Sequence, residues 1–111
     1  MDAGSLVLLH LVEPKEKYWG LLVSLTPAGV TLRGIDVALF DDWARQHRSG
    51  GEAELGVTKL FVPLHRVEKI FEDSRVGSVA SYAERFFQMV GRDVREVLRP
   101  DPIPGEGSRP N

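Results

Sequence analysis

His65 and Arg66, with Lys69 a short step further on, are the polar residues of this chain best suited to hold an anion. They fall in "FVPLHRVEKI" (61–70), between two stretches that read as β-strand. A guanidinium offers phosphate a planar fork, an ammonium offers a point charge, and an imidazole can donate or accept. Together they suit nucleic-acid phosphate or a base edge. The same residues would serve equally well as the solvated side chains of a turn.

Other chemistry is harder to build. Asp36, Asp41 and Asp42 are close enough in sequence for paired-carboxylate acid–base work, yet no nucleophile accompanies them, and helix capping or turn roles account for all three. His10, His47 and His65 lack the close spacing of metal ligands, so no metal or other cofactor is expected. His10 reads as a histidine tolerated in a buried strand. Arg45, His47 and Arg48 form a basic helix end that complements the helix dipole. Tyr18, Trp19 and Trp43 have faces on which bases stack, but in so small a chain they are expected in the core. With no phosphate-cradling glycine loop and no Ser/His/Asp arrangement, an enzyme with a small-molecule substrate is not expected.

Composition bounds the rest. The chain has 111 residues, 42% hydrophobic and 27% charged, which suits one ordinary globular domain. Fourteen Lys and Arg oppose 16 Asp and Glu for a net charge of −2, so any nucleic-acid binding must use a local patch. Cysteine is absent, which removes disulfides and thiolate metal sites. The apolar stretch 5–12 lacks a basic flank and is too short to span a bilayer. A cytoplasmic location away from membranes is the expectation.

The elements that would position these residues follow from turn chemistry and period. "SLVLLHLV" (5–12) reads as a buried strand, "YWGLLVSL" (18–25) as a second and "VTLRGI" (30–35) as a third. "TPAG" (26–29) is a tight turn, with Pro27 presetting φ at its first central position. Asp41 or Asp42 caps a short helix near 42–48 that Gly50-Gly51 ends, followed by a flexible loop over 48–56. "VTKLFV" (57–62) and "VEKIF" (67–71) are the last two strands. Beyond Ser74, Val79, Ala83, Phe86, Phe87 and Val90 form one apolar helical stripe. Ser78 or Ser81 caps that helix over 79–90, Ser81 with Glu84 as a capping box, and Gly91 closes it. Asp93 or Glu96 caps a last helix at 94–99. The proline-rich stretch 100–111 is expected to be a disordered tail, leaving one domain over 1–99.

Five short strands are too few for a stable flat sheet with one bare face, and closure into a small barrel would remove the edges and make a core from inward side chains. Pro63 to Arg66 is then a one-turn corner, because proline cannot donate to the ladder. Gly20 and Gly34 are the expected bend points.

In these features the chain resembles the Sm-like (Hfq-like) family of small β-barrels over roughly residues 5–72. "YWGLLVSLTPAGVTL" is similar to the family's first motif, and "FVPLHRVEKI" to its histidine-bearing junction between the last two strands, with Val62, His65, Val67 and Ile70 at matching spacing. The resemblance implies a mainly β fold: a five-stranded, bent antiparallel SH3-like or Sm-like barrel with an inserted helix and C-terminal helices. It also implies a ring-type homo-oligomer, with Leu60, Val62 and Ile70 at the interface and RNA contacted through His65, Arg66 and Lys69. Thr26-Pro27-Ala28-Gly29 stands where the family carries an aspartate and an asparagine that help hold uracil, so uridine preference is not implied. The family's N-terminal helix is also missing. The competing reading is a protein-interaction or scaffold module of the same shape, using the Phe86/Phe87 helix or a strand edge.

Overall fold

The computed structural model describes residues 1–48 and 56–99. The expected loop over 48–56 falls almost wholly outside them, as do Gly50-Gly51 and the tail at 100–111. Five strands, β1 (Leu6–Leu11), β2 (Glu16–Thr26), β3 (Gly29–Asp36), β4 (Thr58–Pro63) and β5 (Val67–Glu72), form one antiparallel sheet in the order β4-β3-β2-β1-β5.

The unbroken apolar run of β1 has a direct cause: the strand is covered on both faces. Val7, Leu9 and Leu11 join Leu22, Val30, Leu32 and Val62 in one cluster. Leu6 joins Trp19, Ile35 and the helices in another, with Leu8 packed against it. Val62 on one outer strand and Ile70 on the other pack into the same cluster. A flat sheet would hold those strands roughly 19 Å apart, four spacings of about 4.8 Å. The sheet therefore curls around this cluster.

Gly20 and Gly34 face each other at the bend. A Cβ at Gly20 would lie 2.5 Å from the Cα of Gly34, and one at Gly34 would lie 2.2 Å from the carbonyl oxygen of Trp19. No side chain fits at either position without moving a strand. Register shifts at Leu22/Ser24 and at His10/Leu11 add to the bending.

The curl does not become a closed barrel, which corrects the sequence expectation. β4 pairs with β3 and β5 with β1, and the two outer strands do not pair with each other. The 3-10 turn Leu64–Arg66 that joins them spans only about 6 Å. The two sheet edges meet at this corner, but Pro63 has no N–H to begin a ladder and none forms beyond it.

Helices cover the outer face. Asp36, rather than Asp41 or Asp42, starts this layer by accepting a bond from the amide of Ala38 in a 3-10 turn (Val37–Leu39) that leads into α1 (Phe40–Arg48). Asp41 and Asp42 instead pair with Arg85 and Arg45. α2 (Tyr82–Val90) begins later than the apolar stripe suggests. Val79 lies outside it, bridged to Val76, and Phe87 is 60% exposed while Phe86 is fully buried. The stripe overreaches because Ser81 stops the helix from extending backwards: its capping box with Glu84 is complete, and Ser78 takes no part. Gly91 closes α2 with φ of 79°, and Asp93 caps α3 (Val94–Leu98). No helix among the described residues is long and apolar enough to cross a membrane.

Asp73 joins the two layers. One carboxylate oxygen accepts from the Trp19 indole N–H at 3.1 Å and the Ala83 amide at 3.0 Å, and the other from the Tyr82 amide at 2.9 Å. Replacing Asp73 with Ala strands three donors and is expected to cost about 1–3 kcal/mol in urea unfolding. Phe86→Ala is expected to cost about 3–5 kcal/mol. Phe87→Ala, one position on, should stay within about 0.5 kcal/mol of the parent.

Candidate functional site

The corner at Pro63 forms as expected, but it does not present His65, Arg66 and Lys69 together. Arg66 turns inward as a strut under the β1–β2 turn. Its Nε donates to the Val12 carbonyl at 3.1 Å and its Nη2 to the Pro14 carbonyl and Glu16 Oε1, each at 2.8 Å. Its own carbonyl accepts from the Val12 amide at 2.8 Å. His65 points outward and is exposed. Lys69 belongs to a different surface, a cleft whose lining includes neither of them.

That cleft has a volume of about 670 Å³ and lies where the ends of β1 and β3 approach the starts of β2 and β5. The strand register builds it. His10 stands opposite Lys17 on one side and Lys69 on the other, so three basic side chains form a row across β2, β1 and β5. Lys15 adds a fourth basic group, and Glu16, Asp36 and Glu68 also line the cleft. Burial, then the charges of Lys17 and Lys69, hold the His10 imidazole below its ordinary pKa, with Glu68 opposing them. The His10 ring meets Phe71 edge-on at 5.0 Å. Sequence reasoning takes His10 for a core histidine and passes over Lys17. The row becomes visible only once cross-strand register is known, although Lys15 and Lys17 already share a strand-face spacing.

The remaining candidates resolve as packing. Trp19 and Trp43 are buried with Phe40 and Phe86, leaving no ring face open for a base. His47 lies edge-on to Trp43 at 5.0 Å, and burial, helped by Arg92, lowers its pKa. Among the described residues no group of His, Asp and Glu is placed to hold a metal ion.

The expected interface residues divide. Val62 is only 3% exposed and belongs to the inner cluster, while Leu60 and Ile70 are half-buried against it. The apolar side chains that β4 and β5 expose are Phe61 at 55% and Phe71 at 40%. They stand on the opposite pleat from the residues that periodicity selects.

Arg66→Glu would aim a carboxylate at Glu16 and at two carbonyls. It is expected to destabilise the fold by at least about 2 kcal/mol, read as a lower denaturation midpoint. Arg66→Lys should recover only part of this, since an ammonium lacks the planar fork.

Comparison of the chain with protein-family models, with curated proteins and with solved structures finds no match.

Proposed function

We propose that this protein is a non-enzymatic, Sm-like assembly module whose open sheet edges pair between copies to give a ring-type homo-oligomer. The observation that carries this reading is the strand order, which among the described residues leaves the outer edges of β4 and β5 without a partner strand in one curled sheet. Each is six residues long. Each exposes a phenylalanine, and Lys59 on one edge complements Glu68 and Glu72 on the other. Free edges of this kind are templates for another strand. Pairing β4 of one copy with β5 of the next is heterologous, so it repeats until the ring closes. The Sm-like resemblance implies the same arrangement.

RNA contact is a secondary part of the proposal. Arg66 is committed to the β1–β2 turn, which leaves His65 and Lys69 as the exposed members of the basic trio. The scaffold reading draws support from the same commitment and from the exposed Phe87.

Light scattering after size exclusion, at tens of micromolar, is expected to give a discrete multiple of the 12.4 kDa chain. Phe61→Asp should yield a folded monomer with an unchanged far-ultraviolet spectrum. A monomeric parent protein would refute the assembly. Short oligoribonucleotides at low salt test the RNA contact, whose affinity should fall steeply as salt is raised.

A further inference from the structure

We propose that the row Lys17–His10–Lys69, with Lys15 at its rim, is a binding site for a phosphorylated small molecule. Two lysines stand directly opposite one histidine, so a proton on that imidazole would create two opposed like-charge pairs in the sheet. The register that creates this row is fixed by the apolar residues of β1, above all Leu9 and Leu11 in the inner cluster, so a slip that separated the three would expose the core.

The distribution of cations makes the row stand out. Three of the four lysines of the chain line this single cleft. Among the described residues none of the three has a carboxylate partner, whereas most described arginines are held by a carboxylate or a backbone carbonyl. Of the cleft's three carboxylates, Glu16 is paired with Arg66, while Asp36, bonded to the Ala38 amide, and Glu68 keep their charges against the three lysines. The balance in reach of a ligand is therefore positive. A phosphate dianion with three acceptor oxygens matches several converging donors better than a single carboxylate does. The volume of about 670 Å³ suits a mononucleotide-sized ligand, and Val37 and Ala38 supply an apolar wall for its uncharged part. The imidazole between the ammoniums is disposed to stay neutral when the site is empty and to gain a proton when an anion arrives. A ligand here would stand against the expectation of no small-molecule substrate, and the site does not depend on ring assembly.

Pyrophosphate and AMP are the probes, titrated at low salt into the full chain with the His10 ring followed by NMR. Binding should raise the His10 pKa, against the opposing charges of Lys17 and Lys69 and with that of Glu68. The double variant Lys17→Gln/Lys69→Gln should weaken binding by about tenfold or more, while His65→Ala leaves it unchanged. Without ligand, at a pH low enough to protonate His10, the same double variant should melt at a higher temperature than the parent, because it removes two opposed like-charge pairs. Failure of both probes at millimolar concentration would overturn the proposal. So would binding indifferent to the double variant. A hexaribonucleotide that binds through Lys17 and Lys69 where both probes fail would assign the row to nucleic acid instead.

Discussion

The Asp73 carboxylate is the point on which both layers of this fold depend. The chain leaves β5 at Glu72, and one residue later a single side chain receives the indole N–H of the buried Trp19 and two amides at the start of α2. Those amides have no partner within the helix, and the indole N–H would otherwise be stranded among rings. One acceptor thus ties the first turn of α2, whose start the Ser81 box sets, to the sheet beneath it. The aromatic cluster follows: Trp19 meets Phe40 edge-on at 5.2 Å and Tyr82 face-to-face at 6.1 Å, and Phe86 closes against Trp43 at 5.2 Å. Apolar burial supplies most of the stabilisation, while the carboxylate chooses one arrangement of large rings over others of similar area.

The opposite face depends on backbone proximity. Gly20 and Gly34 let β2 and β3 approach closely enough for the sheet to curl around Leu9, Leu22 and Leu32. The curl hides the inner face without help from a helix. Its cost is that β4 and β5 meet only at the Pro63 corner and, among the described residues, keep their outer hydrogen-bonding edges. A sheet this curved satisfies its core yet leaves its backbone accounting open at both ends.

Much of this is legible in the sequence because it is local. The Thr26–Gly29 turn, the Pro63 corner, the Ser81–Glu84 capping box and the Gly91 stop each depend on residues a few positions apart. What escapes depends on contacts distant in the chain. Asp73 is unremarkable until Trp19, 54 positions away, is placed beside it. Arg66 looks like a free cation because its partners, Val12, Pro14 and Glu16, lie more than a loop away. Phe87 joins the apolar stripe on periodicity alone, and only the packing of α2 against α1 separates it from Phe86. Barrel closure is not readable either, since strand count does not determine whether the last two edges meet.

The edges and the basic row share β5, which raises the question of whether one use excludes the other. Side chains stand roughly perpendicular to a sheet, while strand pairing runs in its plane. A strand added along the outer edge of β5 would occupy its free N–H and C=O groups and leave Lys69 on the face beside His10. The bulge at Glu68 reinforces this separation: Lys69 pairs with His10 and Val67 with Leu11, so Glu68 is the unmatched residue. Pairing at the edge and anion binding on the face are therefore compatible on the same six-residue strand. In a ring they would be repeated together, each copy bringing its own row of lysines next to a neighbour's β4. The Lys59 ammonium of that neighbour would then add to the positive field at the cleft unless Glu68 or Glu72 pairs with it first. The carboxylates of β5 would thus neutralise the incoming edge without neutralising the row behind it.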